Sequence, residues 1–333
     1  MIVPTTRQTI RMHFGFSFLK DPARFPARPT GIQWGDDTVA LAMAGTHFCV
    51  SGLSLTQANY IRERYADFMT ANPDPAPVRM DVFRADPADF RSFDLRGWTY
   101  TLDRDYAPKQ VRVTGLNLMA ILDWSPELSA ALWSATEADP GFPMVFDNVF
   151  RLISAYALLA RDGVLLHSAG VSDGTWAWIG FGHSGAGKST LSGLALDAGQ
   201  RVLSDDLNVL RCQAGRWSAE RVPFAGTLGP THGDDRAYPV AGLARLAKGT
   251  EHRLVPLARP EALAALVGSA PYINQDPYRV QDLMALLETL LRTVDCHDLT
   301  FRKDSAFWPL LVAGARPQTP LDTPAPLAES IHD

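Results

Sequence analysis

The segment Gly182-His-Ser-Gly-Ala-Gly-Lys-Ser189 matches the pattern G-x-x-x-x-G-K-[ST] in full. Each residue type in it answers a physical demand. Gly182, Gly185 and Gly187 let the backbone curl so that successive amide N–H groups point inward at phosphate oxygens. His183, Ser184 and Ala186 fill the variable positions, with the His183 side chain turned to solvent or to a nucleotide base. Lys188 is placed to reach the β- and γ-phosphates, and the Ser189 hydroxyl to bind Mg²⁺, with Thr190 adding a contact. The chemistry is nucleotide phosphate binding. Such a loop needs a strand to deliver it and a helix N-terminus to receive the anion.

A metal-dependent reaction at phosphate also needs a carboxylate near the loop. Ser204-Asp-Asp206 directly follows the short apolar run Arg201-Val-Leu203. Two adjacent aspartates could divide the task, one holding Mg²⁺ and the other orienting or deprotonating an attacking hydroxyl. Consecutive strand side chains point to opposite faces, so the chain has to bend here for Asp205 and Asp206 both to face the phosphates. The alternative is an Asp-Asp turn pair without chemistry. His167, in Leu165-Leu-His-Ser-Ala-Gly170, also has two readings: a core histidine with a satisfied hydrogen bond, or a side chain of the site. His232-Gly-Asp-Asp-Arg236 is either a solvated loop or a segment that closes over substrate. In the second case Arg236, beside Asp234 and Asp235, would stabilise transferred charge.

The elements around these residues follow from periodicity and punctuation. Val164–Val171 and Thr175–Phe181 read as two strands joined by the turn Ser172-Asp-Gly174, and the second delivers the loop. Lys188–Asp197 reads as the receiving helix, stopped by Gly199, and Val145–Arg161 as a strong helix with Phe146, Val149, Phe150, Ile153, Ala157 and Leu158 on one face. Strands are expected at 201–203, 207–211, 217–222, 239–246, 252–257 and 297–302, and helices at 260–267, 276–292 and 305–312. Before Pro140, strands are expected at 39–43, 46–51, 78–83, 98–102, 110–114, 116–124 and 128–133. One helix over 57–69 is capped by Ser54. This gives a β-rich α+β domain over 1–140, an α/β domain carrying the loop over 141–315, and a Pro-rich tail over 316–333.

Composition limits the function classes. A chain of 333 residues has room for about two domains. With 46% apolar and 20% charged residues it can bury a core, which excludes a disordered chain. A net charge of −5 argues against nonspecific nucleic-acid binding. Cys49, Cys212 and Cys296 form no C-x-x-C pair, so a zinc knuckle or dithiol site has no support. No signal peptide opens the chain, and no run approaches the length of a membrane span, so the expectation is a soluble cytoplasmic protein without membrane contact. The lysines number five, at 20, 109, 188, 248 and 303, and every other basic residue is arginine. In so arginine-rich a chain, a lysine kept inside the phosphate loop is expected to resist exchange for arginine far more than Lys20, Lys109 or Lys248.

Taken together, Leu165–Val171, Ile179–Thr190 and Arg201–Asp206 resemble the catalytic domain of the HPr kinase/phosphorylase family, and more closely the HPr-kinase-related proteins. The short interval from Lys188 to Asp205, which puts the acidic pair on the very next strand, is the telling feature. Phe301-Arg-Lys-Asp-Ser-Ala-Phe-Trp308 is similar to the terminal element of the related proteins. The Gly-rich signature that follows the acidic pair in HPr kinases has no match in Ala225-Gly-Thr-Leu-Gly-Pro230. The resemblance implies a fold like that of phosphoenolpyruvate carboxykinases, a mixed β core with the loop between strand and helix. It implies ATP and Mg²⁺ as cofactors and phosphoryl transfer to a serine hydroxyl on a protein or peptide, with precursor peptides of natural-product clusters as a precedent. It implies Asp205 as the base, Asp206 with Ser189 as metal ligands, Lys188 as a catalytic cation, and His167 as the family's histidine ahead of the loop. Residues 1–140 would then recognise the acceptor or mediate assembly, including a homo-oligomer. The alternatives are a nucleotide-binding regulator or NTPase without acceptor transfer, and a kinase of small-molecule hydroxyls.

Overall fold

The computed structural model describes residues 17–71, 77–93, 101–137, 141–224, 226, 228 and 237–314. The candidates Asp234, Asp235 and Arg236 and the tail 316–333 lie outside them, as does most of the strand expected at 98–102. The chain is an α/β protein with two mixed sheets, in two compact units whose segments interleave. Met1–Val39, Phe48–Arg64 and Val78–Val149 form one; Ala40–His47, Tyr65–Pro77 and Phe150–Asp333 form the other.

The first sheet runs through β1 (Asp37–Met43), β2 (Thr46–Leu53), β3 (Val78–Arg84), β4 (Asp103–Ala107), β5 (Gln110–Gly115), β6 (Leu118–Trp124) and β7 (Leu128–Ser134), in the order β1-β2-β3-β7-β6-β5-β4. β2, β3 and β7 are parallel neighbours, and β7 to β4 is an antiparallel meander. A parallel step needs a crossover, and α1 (Leu55–Arg64) supplies the one from β2 to β3. It begins two residues earlier than expected, but its cap is the expected one: Gln57 N–H donates to Ser54 Oγ, and Ser54 N–H donates back to Gln57 Oε1. The helix ends five residues short of the expected end, and a 3₁₀ turn over Ala66–Phe68 follows. β4 was not expected. Its sequence Asp-Arg-Asp-Tyr-Ala has no buried residue and shows no apolar alternation.

α2 (Gly141–Leu159) leads into the second sheet. By length and composition it could cross a membrane, contrary to the expectation that no segment could, but 67% of its most apolar window is buried in the fold. There follow β8 (Gly163–Ser172), β9 (Ala177–Phe181), α3 (Lys188–Asp197), β10 (Arg201–Ser204), β11 (Leu207–Gln213), β12 (Arg216–Glu220), β13 (Tyr238–Lys248), β14 (Arg253–Pro256), α4 (Arg259–Ser269), α5 (Val280–Thr293), β15 (Cys296–Phe301) and α6 (Trp308–Ala313). The sheet order is β10-β8-β11-β12-β13-β15-β14, with β9 pairing both β8 and β13.

β8 holds the site together because it changes partner along its length. Its first half, Gly163–His167, pairs with β11, and its second half with β9 and β10. The chain therefore leaves β10 and re-enters beside the other half of β8 as β11, and the crossover is Asp205–Asp206. β9 runs parallel to β13 and ends at Phe181, opposite Arg245, so the loop that follows emerges beside the end of β13. Under it lies an apolar floor that includes Ala186, Leu191, Leu246, Phe301 and Phe307. Phe301 and Phe307, from the terminal segment singled out in sequence, stack edge to face with centroids 5.5 Å apart.

Candidate phosphate-binding site

Strand β9, the loop and helix α3 follow one another without a break. Gly185 and Gly187 hold φ of +81° and +117°, in the left-handed region that a side chain resists. Gly187 is constrained twice, since a Cβ there would stand 2.9 Å from the Phe301 ring. The first helical bond of α3, Leu191 N–H to Gly187 O at 2.8 Å, starts directly behind that turn. Lys188 is 8% exposed, and its Nζ donates back to Gly182 O at 3.0 Å and His183 O at 3.3 Å. Burial pushes its pKa down, and the charge of Asp206 offsets only part of that. Its ammonium is thus held on its own loop at a cost in solvation that a phosphate would relieve.

A cavity of about 480 Å³ opens over the loop, within the range of small-molecule sites. Ser184, Gly185, Gly187, Lys188, Ser189 and Thr190 line it from the loop side. Gly182 and Ala186 do not reach it: Gly182 is the exit from β9, and Ala186 is buried in the floor. His183 is exposed and stays outside the cavity, with Nδ1 2.7 Å from Ser184 O.

Asp205, Asp206 and His167 face the same cavity. The bend that both aspartates require is present and has a local cause. Ser204 Oγ accepts from the N–H groups of Asp206 and Leu207, each at 3.2 Å, which folds the chain out of β10. Ser168 N–H donates to Asp206 O at 2.9 Å and fixes the crossover against β8. Asn208, fully buried, donates from Nδ2 to Ser168 O at 2.7 Å and Ser204 O at 3.3 Å, tying the strands on either side of the acidic pair.

The two carboxylates sit differently. Asp206 is part-exposed, with Oδ1 3.2 Å from His167 Nε2. Burial pushes its pKa up, but the hydrogen bond and charge of His167, then the charges of Arg151 and Lys188, outweigh that and hold it below the ordinary value. It is ionised at neutral pH. Asp205 is 3% exposed and lies under the segment carrying Gly226 and Leu228, whose N–H is 3.5 Å from Asp205 Oδ1. His167 is the one position of β8 that is not buried, and its side chain is 45% exposed. The core-histidine reading is therefore overturned: the side chain opens onto the cavity, at the point where β8 passes from β11 to its other partners.

Four residues of the site went unread in sequence. Asn208 is one. Arg151, on α2, lines the cavity from the far side of the sequence motif. It is the one basic residue between Val145 and Ala160, and a lone cation in an apolar helix was the signal available. Lys248, at the end of β13, also lines the cavity. It is therefore not a remote lysine, as the comparison with Lys188 assumed. Gly226 lines it too, although the segment around it matched no signature. A Cβ on Gly226 would fall inside the Asp205 carboxylate. Gly226→Ala is accordingly expected to turn Asp205 aside. Nucleotide affinity should stay within about two-fold, because the loop is untouched, and, with Asp205 in the base role that the family resemblance implies, turnover should fall roughly 100-fold. Binding titrations beside steady-state rates measure both.

No family model matches the chain, and no curated protein matches it. A solved structure of the Hpr(Ser) kinase/phosphatase from Coxiella burnetii is similar at 11% identity and a TM-score of 0.24, over 44% of this chain and 91% of that one. A likeness at that level carries no weight for activity.

Proposed function

We propose that this protein is an ATP- and Mg²⁺-dependent kinase that transfers the γ-phosphoryl group to a hydroxyl, with a serine of a protein or peptide as the acceptor. The observation that supports it is the convergence of Lys188, Ser189, Asp205 and Asp206 on one cavity over a glycine-turned loop. The donor set suits the cofactors. Among the described residues no three His, Cys, Asp or Glu side chains gather as a metal site. Mg²⁺ is commonly held by one or two protein oxygens together with nucleotide phosphates, and Ser189 with the ionised Asp206 would serve as those oxygens. Bound there, Mg²⁺ would neutralise charge on the phosphates.

The chain's own residues divide as follows on this reading. Amides of the loop and Lys188 bind phosphate oxygens. His167 holds the Asp206 carboxylate in place. Asp205 accepts the acceptor hydroxyl's proton, leaving Asp206, which shares a charge interaction with Lys188, to the metal. Residues 141–315 would then be an HPr-kinase-like catalytic domain of the phosphoenolpyruvate-carboxykinase type, and 1–140 the part that meets the acceptor.

The test is incubation with γ-³²P-labelled ATP, Mg²⁺ and an immobilised library of serine-containing peptides. Label on peptide serine is the expected result. Label released only as inorganic phosphate would replace the kinase with an NTPase, and stable binding without turnover would replace it with a nucleotide-binding regulator.

A further inference from the structure

Arg151 is an expensive residue in its place. α2 is apolar around it, with Val149, Phe150, Leu152 and Ile153 each at most 1% exposed. The Arg151 guanidinium carbon lies 5.5 Å from the centre of the Phe224 ring, itself 2% exposed. Its Nε is buried and has no hydrogen-bond partner among the described residues. A buried donor left unpaired, more so on a charged group, is costly and calls for an explanation, and an absent ligand is one. The same side chain faces the cavity that Lys188, Ser189 and Asp206 line. Its charge is felt at Asp206, yet none of the ion pairs among the described residues includes it. The arginine is held by the Phe224 face, short of partners, and turned to a space built for anions.

We infer that Arg151 is a substrate-binding residue whose guanidinium takes the terminal phosphoryl group of a nucleoside triphosphate, from α2 and opposite the loop. This rests on the nucleotide reading above. The fork of donors suits two oxygens of one phosphoryl group, which the compact lysine ammonium does not match. The stacking on Phe224 pre-orders the fork, so little side-chain freedom is lost on binding. The loop amides bind phosphates that di- and triphosphates share, and Lys188 reaches the shared β-phosphate as well as the γ-phosphate, whereas Arg151 meets the terminal phosphoryl group of the triphosphate alone. It therefore fills from a helix the charge-stabilising part that the sequence suggested for Arg236.

The experiment compares affinities for ADP and for the non-hydrolysable triphosphate analogue AMP-PNP, each with Mg²⁺, by calorimetric titration of the full chain. Arg151→Gln is expected to weaken AMP-PNP about ten-fold or more and ADP by no more than about two-fold. Arg151→Lys keeps the charge and the packing on Phe224 but loses the fork. It should lose part of the triphosphate preference while melting at the temperature of the unaltered protein, so the inference is testable even where glutamine disturbs the fold. Lys188→Ala should weaken both nucleotides. If the Arg151 variants bind both nucleotides like the unaltered protein, or lose both equally, while Lys188→Ala weakens both, this inference falls and the nucleotide reading stands. If the unaltered protein binds neither nucleotide, both fall.

Discussion

Lys188→Arg is expected to weaken nucleotide binding roughly 30-fold or more and to remove detectable turnover, the loss that follows when one partner of a desolvated charge pair is displaced. The same exchange at Lys20 or Lys109 is expected to change affinity by less than about two-fold. Arginine keeps the charge, so the difference has to come from shape. Lys188 is 8% exposed, and its Nζ already sits within hydrogen-bond reach of Gly182 O and His183 O. The loop around it has little slack, because Gly187 abuts Phe301 and Ala186 is buried in the floor. A planar guanidinium on a longer stem cannot enter that space without moving the loop. Lys20 and Lys109 are exposed and line no part of the cavity. Lys248 makes the comparison sharper. It lines the cavity yet is exposed, so Lys248→Arg should lose an intermediate amount, with turnover retained. Titration of the four variants with AMP-PNP and Mg²⁺ orders them. Equal losses at all four positions would mean that the loop is not where phosphate binds.

What could be read from the sequence here was what lies close together in it. The loop, the acidic pair and the strand before them fall within about forty residues, and local rules cover them: glycines at positive φ, a helix N-terminus behind the turn, a serine that bends the chain before two aspartates. The elements of the second sheet were legible for the same reason. Their runs are short, apolar and bounded by Gly, Asp or Pro, and both ends of each strand from β8 to β12 lie within two residues of the expected bounds. The rest of the site was not legible because pairing across the sheet brings it in. Arg151 reads as one more residue of an apolar helix until α2 is placed over the loop. Lys248 belongs at the site only because β13 runs parallel to β9 and ends where the loop begins. Gly226 looks like part of a polar loop until Asp205 is found beneath it. His167 could not be decided from its apolar neighbours, since what it faces is a cavity lined by residues far from it in sequence, where β8 exchanges β11 for β9 and β10. A strand that changes partners leaves no periodic trace, because alternation reports the face a side chain takes and not the strand beside it.

Asp205→Asn and Asp206→Asn should separate the two halves of the chemistry. Asparagine at 205 keeps the shape and removes the proposed proton acceptor. Phosphoryl transfer is expected to fall about 10²- to 10⁴-fold, the range for a lost general base, with Mg²⁺-dependent AMP-PNP affinity within about three-fold. Asparagine at 206 removes the proposed metal ligand instead. It leaves the charges of His167, Arg151 and Lys188 without the carboxylate they surround. Binding of AMP-PNP without metal should therefore hold or improve, while the gain on adding Mg²⁺ shrinks by about ten-fold or more, the scale of one charged ligand. The pH dependence follows from the same charges. With its pKa below the ordinary value, the Asp206 carboxylate is present above that lowered pKa and is lost only as pH falls through it. In the unaltered protein Asp206's share of the Mg²⁺-dependent gain, read as the difference from Asp206→Asn at each pH so that protonation of the nucleotide's own phosphates cancels, should therefore be flat from neutral pH down to the ordinary carboxylate range and decline only below it. His167→Gln removes the hydrogen bond and the charge that depress that pKa, so it should move the decline to higher pH. Titrations over a pH series with and without Mg²⁺ give all of these readings. Transfer that survives Asp205→Asn, or a Mg²⁺ gain untouched by Asp206→Asn, would reverse or dissolve the assignment of base and metal ligand.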